Sequence, residues 1–329
     1  MSARRRLRAL AFAAALLGAP ALAQAQETHL AVIVGLAGEP EHAELFQRWA
    51  GTLVDAAGKL GVSDVIYLAE KPEVDAKRVT GKSTKEEVVK AFDKLAAAGE
   101  DDVVFIVLIG HGSFDGKVAK FNLPGPDLTP ADFEPLLKKM KSRHVVFVNT
   151  ASASGPFLAD LSGPNRTIVT ATRNGAEQYA TLFGGFFIDA LTSEAADSDK
   201  NKRVSVLEAF RYAKAEVAKA YEREGLLSTE HALLDDNGDK EGSPEPSPMA
   251  KDGKLAASLS IGSAADALPL PADPKLRALY LERRDMERRV EALRLLKDSM
   301  EPAKYASELE KLVTDLALKT REIRTAEQK

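Results

Sequence analysis

Apolar and polar positions along this chain follow two different periods, and the changes of period mark out its elements. Residues 29–34 are an apolar run that stops at Gly35, which predicts a strand covered on both faces. A helical pattern follows over about 41–60, with Leu45, Trp49, Leu53, Ala56 and Leu60 on one face and Gly61 as its stop. Residues 64–68 predict the second strand. Ser83-Thr84-Lys85-Glu86 predicts a capping box opening a helix that ends at Gly99. Residues 102–109 are apolar almost throughout and predict a central third strand. Thr129 then caps a short helix with Pro130 at its first position. Residues 144–148 and 167–170 predict strands four and five, and 182–191 a covering helix. A helix through Tyr221 follows Ser205, and residues 255–261 alternate enough to predict a last, antiparallel edge strand.

Strands alternating with helices specify a mainly parallel sheet covered on both sides, a three-layer α/β/α sandwich. Sites in such sheets lie beyond the carboxyl ends of the strands. That rule selects the segments 35–39, 110–116, 149–156 and 171–175.

The two ends of the chain follow other patterns. Arg4, Arg5, Arg6 and Arg8 precede an Ala/Leu run over 10–22, and Ala21-Leu22-Ala23 and Ala23-Gln24-Ala25 both read as small-x-small cleavage sites. Residues 1–25 therefore predict a secretory signal peptide and an exported, periplasmic or secreted protein. The apolar run is too short to span a bilayer, and no other segment is long enough, so the mature chain is expected to carry no transmembrane segment. At the other end, Pro269-Leu270-Pro271 predicts a linker over 263–273. Leu276, Leu279, Met286, Val290 and Leu293 then set out one heptad seam, and Tyr305, Leu309, Leu312, Leu316 and Ile323 a second. They predict a coiled-coil-like helical hairpin over 274–327, beyond a main domain over 27–262. Such a hairpin must pack on its own domain, on a second copy or on a partner.

Composition narrows the chemistry. The chain has no cysteine, hence no disulfide, thiolate metal site or cysteine nucleophile. A formal net charge of −4 gives no electrostatic case for nucleic acid. With 45% hydrophobic and 29% charged residues the chain is globular in type.

Two of the selected loops hold the suggestive residues: Gly110-His111-Gly112 after strand three, and Thr150-Ala151-Ser152-Ala153-Ser154-Gly155 after strand four. A histidine at one strand's end beside a nucleophile at the next is a workable dyad. Glycines beside a histidine are also ordinary turn chemistry. A strand, then His-Gly, then a strand running into Ala-x-x-Ser-Gly resembles the caspase/legumain clan of cysteine peptidases, and within it the legumain (haemoglobinase) family and its bacterial relatives. The resemblance covers about 30–261. It implies a caspase-like fold, His111 as the catalytic histidine, Gly112 as an oxyanion-hole donor and Ser152 at the nucleophile position, with Ser154 and Gly155 completing the motif. Two departures accompany it: serine replaces the nucleophilic cysteine, and the asparagine that legumain-like enzymes carry after strand one is absent from Leu36-Ala37-Gly38-Glu39. A thiol near a cation readily yields a thiolate, whereas a serine hydroxyl needs an aligned general base. The expectation is a catalytically silent peptidase-family domain that binds a peptide or protein, against an active hydrolase using Ser152 and His111. Arg173, where the resembled family builds a pocket wall, could meet an acidic group or stay solvated. Asp115 could orient the imidazole or cap its turn.

Asp197, Asp199, Asn201, Arg203, Ser205 and Glu208 have the 1, 3, 5, 7, 9, 12 spacing of an EF-hand loop, which makes calcium the one candidate cofactor. Lys202 stands where the sharp turn normally takes glycine, and Ser205-Val206-Leu207-Glu208 is equally a helix capping box. Asp235-Asp236-Asn237-Gly238-Asp239 reads by default as an Asx-turn loop, with a metal role left open. The stretch 242–252 reads as a mobile loop.

Overall fold

The computed structural model describes residues 27–62, 64–262, 271, 273–295 and 300–327. The predicted leader and most of the predicted linker lie outside the described residues. The chain opens with β1 (Thr28–Val34), α1 (Pro40–Lys59) and β2 (Asp64–Ala69). Next come β3 (Gly81–Lys82), α2 (Lys85–Leu95), β4 (Val103–Ile109) and a hairpin of β5 (Gly112–Phe114) and β6 (Ala119–Phe121). They are followed by α3 (Pro130–Lys138), β7 (His144–Asn149), α4 (Gly155–Leu161) and β8 (Arg166–Thr170). Then come α5 (Phe183–Thr192), α6 (Val206–Glu224), β9 (Leu233–Asp235) and α7 (Lys254–Ser258), and finally α8 (Pro274–Leu295) and α9 (Pro302–Glu327).

The main sheet has the order β3-β2-β1-β4-β7-β8-β9, parallel except for β9 against β8. Its period of two divides the core. Leu30, Val32, Phe105, Val107, Val146 and Val148 face α1, α5 and α6. Ala31, Ile33, Val104, Ile106, Val145 and Phe147 face α2, α3 and α4. Both faces are thus buried, which is why these strands read as continuous apolar runs. The result is the three-layer α/β/α sandwich. Burial of a large apolar side chain is worth about 1.5–3 kcal/mol, and β4, buried along its whole length, contributes seven such residues to the two layers.

The caps explain the boundaries. Thr129 and Asp132 form a full capping box on α3, and Ser205 and Glu208 form one on α6. At α2 the N-cap is Thr84, not Ser83; Ser83 is buried in the turn instead, and the helix ends at Leu95, ahead of a turn to Gly99. The predicted strand over 255–261 is wrong. Residues Lys254–Ser258 form α7, and only Ser260 makes a bridge, to Ser205. The antiparallel edge strand is Leu233–Asp235. The stretch 242–252 is tied to α6, whose Arg211 donates to the Pro246 carbonyl at 2.8 Å and whose Lys214 donates to that of Pro244 at 2.6 Å.

Helices α8 and α9 close their seam on each other, burying Val290, Leu293 and Leu312 with Leu309 and Leu316 alongside. Lys319 pairs with Glu282 across them at 2.6 Å, and α7 touches α8. Among the described residues no helix is long and apolar enough to cross a membrane.

Candidate functional site

Strands β4 and β7 are parallel neighbours, with Leu108 opposite Asn149, so the loops carrying His111 and Ser152 emerge side by side at the carboxyl edge. Their backbones approach closely. A Cβ on Gly112 would sit 2.2 Å from the Ser152 carbonyl oxygen, so only glycine fits there. The Ser152 hydroxyl, 2% exposed as a residue, donates to the Gly112 carbonyl at 3.1 Å and accepts the Gly112 N–H at 3.2 Å. The next residue, Ala153, holds φ at +52°, a left-handed conformation that costs an alanine about 1–2 kcal/mol. Its N–H donates to the Glu177 carbonyl at 2.7 Å.

The imidazole of His111 is engaged elsewhere. Its Nε2 lies 3.3 Å from Nδ1 of His42 on α1, the two rings meet edge to face, and Phe46 packs against it. Burial, together with the neighbouring His42, pushes the His111 pKa below the usual histidine value, and the Ala37 backbone partly opposes this. His111 is therefore neutral at neutral pH, and its ring points toward α1 and the loop after β1. A cavity of about 320 Å³ opens beside that loop, lined by Ala37, Glu39, Tyr67, Glu70 and Asp75 among others.

The remaining candidate residues separate by role. Ser154 is fully buried and ties two loops together, with its hydroxyl 3.1 Å from that of Thr172 and accepting the Thr172 N–H at 3.2 Å. Its hydroxyl thereby braces the loop after β7 against the loop after β8. Asp115 accepts from the N–H groups of Lys117 and Val118 and faces Lys120, so it caps the hairpin turn, with no contact to the imidazole. The Arg173 side chain is exposed and stands 3.9 Å from Glu177. Glu177 also takes His231 Nδ1 at 2.7 Å. His42, Glu177 and His231 were not anticipated. The available signal for His42 was a histidine at the helix start following the β1 loop.

In the 197–208 loop, oxygens of Asp197, Asp199 and Glu208 come within 4.8 Å of one another. Lys202 takes the left-handed conformation that glycine usually supplies, with φ +67°. Both Glu208 oxygens already accept hydrogen bonds, one from Ser198 at 2.9 Å and the other from the Ser205 N–H at 2.9 Å. Asn201 accepts the Arg203 N–H through its side chain, and the Arg203 guanidinium donates to the Ser260 hydroxyl at 2.7 Å. Ser205 serves as the N-cap of α6.

The sequence over residues 66–234, just over half of the chain and including His111 and Ser152, matches the model of the peptidase C13 family. The chain belongs to the peptidase C13 family. Among curated proteins no sequence match is found. Similar solved structures include the Drosophila initiator caspase Dronc, at 11% identity and TM-score 0.40, covering 66% of this C13 chain and 81% of that one. Caspase-1 from Spodoptera frugiperda is similar at 12% identity and TM-score 0.40, covering 64% and 86% respectively.

Proposed function

We propose that this C13 chain is an exported, catalytically silent member of its family, with Ser152 in the place of the nucleophilic cysteine, acting as a peptide- or protein-binding domain in the periplasm or outside the cell. The observation that carries the reading is the hydrogen bonding at the strand ends. The Ser152 hydroxyl is bonded to Gly112 on both its donor and acceptor sides, while the His111 imidazole is bonded to His42. A serine needs a general base aligned on its proton, and here that proton goes to a carbonyl oxygen. The Gly112 N–H, the donor an oxyanion hole would use, is taken up by the hydroxyl itself. The cavity beside Ala37 and the exposed Arg173 give a partner chain polar and apolar contacts at the same edge.

The test is a labelled fluorophosphonate applied to the purified protein, followed by Ser152→Cys. The wild type is expected to stay unlabelled and to cleave no peptide. The cysteine variant is expected to react with iodoacetamide no faster than free cysteine, because position 152 is buried and the neutral His111 imidazole is engaged by His42. Labelling of the wild type that Ser152→Ala abolishes would replace this reading with a serine hydrolase using Ser152 and His111.

A further inference from the structure

The carboxylates around the end of β9 present an electrostatic problem that the protein's own groups leave unsolved. Asp235 closes β9, Asp236 follows it, and Asp252 returns beside them just ahead of α7. Asp235 is 1% exposed and Asp252 3%. Asp235 pairs with Ile168 in β8, and the chain beyond it runs past Gly163, so the cluster lies toward the edge opposite His111 and Ser152. It is separate from the candidate site.

An account of the partners shows what is missing. One Asp235 oxygen accepts the N–H groups of Asn237 and Gly238; the other, Oδ2, is buried with no hydrogen-bond partner. Both Asp236 oxygens are used, by the N–H groups of Gly253 and Ala256, each at 2.8 Å. Asp252 accepts the Asp236 N–H through one oxygen at 3.3 Å. These donors are neutral dipoles. The neighbouring cation, Lys251, is 75% exposed in its side chain and stands 3.7 Å from Asp239 and 3.5 Å from Glu241. Arg211 and Lys214 on the adjoining α6 spend their charge on the carbonyls of Pro246 and Pro244 and on Glu245. Buried carboxylates persist when they are paired, protonated or bound to a metal, and leaving them uncompensated costs several kcal/mol per ion.

We propose that Asp235 and Asp252, in the field of Asp236 and Asp239, hold one hard divalent cation of the calcium and magnesium class, with Asp235 Oδ2 as the ligand atom that the fold leaves free. The donors are oxygen only, with no histidine or thiolate in the cluster, which suits calcium or magnesium and disfavours zinc. Water completes the coordination. The ion joins the end of the edge strand to the start of α7 and thereby acts on stability, not on the strand-end site.

The test uses the full chain stripped with chelator and titrated with calcium chloride or magnesium chloride, read by calorimetry and thermal melting. The wild type is expected to take up one of these ions at this cluster and to gain about 5 °C in melting temperature at roughly 100 times the dissociation constant. Asp235→Asn and Asp252→Asn keep the acceptor oxygen that serves the backbone, so both should fold. Each is expected to lose the rise and to bind at least roughly tenfold more weakly. Stripped of metal, each should melt above the stripped wild type, because one repelling charge is gone. Asp197→Ala removes any contribution of the 197–208 loop and should retain the rise. A wild type whose melting temperature and heats do not respond to either ion overturns the proposal. So does a rise that survives in both asparagine variants.

Discussion

At the scale of single residues the decisive pair is His111 and His42, because the second histidine decides what the first can do. An imidazole whose Nε2 meets another imidazole on α1 has that nitrogen occupied, while the Ser152 hydroxyl donates to the Gly112 carbonyl, and a positive charge on His42 opposes one on His111. The folded pKa of His111 lies below its unfolded value near 6.5. The unfolded chain therefore binds more protons in that window, and stability falls as pH drops from the unfolded value toward the folded one. Proton NMR of the His111 ring is expected to give a midpoint below 6.5, and His42→Gln to raise it by removing the neighbouring charge. A midpoint unchanged in that variant would mean that burial alone sets the shift. His111 and Ser152 were legible in the sequence because strand ends flanked by glycine and small residues advertise themselves. His42 was not, since it reaches His111 across a separation of 69 positions that only the packing of α1 on the sheet brings together.

Elements were readable where many residues repeat one pattern, and misread where few do. β1, β4 and β7 are buried on both faces and announce themselves as apolar runs. β9 has three residues, too few for any period, and its pairing partner β8 decides it. Residues 255–261 alternate like a strand, yet Asp236 offers both carboxylate oxygens to the N–H groups of Gly253 and Ala256 and starts a helix there. A local pattern lost to a tertiary cap. The same competition runs through the 197–208 loop, where Glu208 is either the reciprocal cap of α6 or a calcium ligand. Glu208→Ala leaves the N–H groups of Ser198 and Ser205 without their acceptor in a buried setting. The expected cost is about 2–3 kcal/mol in urea unfolding. A loss of that size in the presence of chelator identifies the cap. A loss confined to calcium-containing buffer identifies the ligand and makes the loop a second metal centre.

At the scale of the whole molecule the question is whether the chain is one cooperative unit or two. The two apolar layers on either side of the sheet share every central strand, so they must unfold together. The helical hairpin has a third cluster built from Val290, Leu293 and Leu312, and none of its members belongs to the other two. Among the described residues it meets the rest of the chain where α8 contacts α7, a five-residue helix packed on α6. Pairs such as Lys319 with Glu282 hold α8 to α9 and do nothing for the sandwich. Removing residues 274–327 should therefore leave the sandwich intact, with its melting temperature lowered by no more than about 3 °C. The excised hairpin, with about 50 residues and a small core, should be marginal alone at micromolar concentration. Differential scanning calorimetry of the full chain and of the truncated chain decides the matter. If the truncated chain melts far lower or aggregates on heating, α8 and α9 are part of the sandwich's own cover. If it melts unchanged, the hairpin's outer face, where Val313 and Leu318 are exposed, is free to serve a second copy or a partner, which sedimentation of the full chain would then reveal.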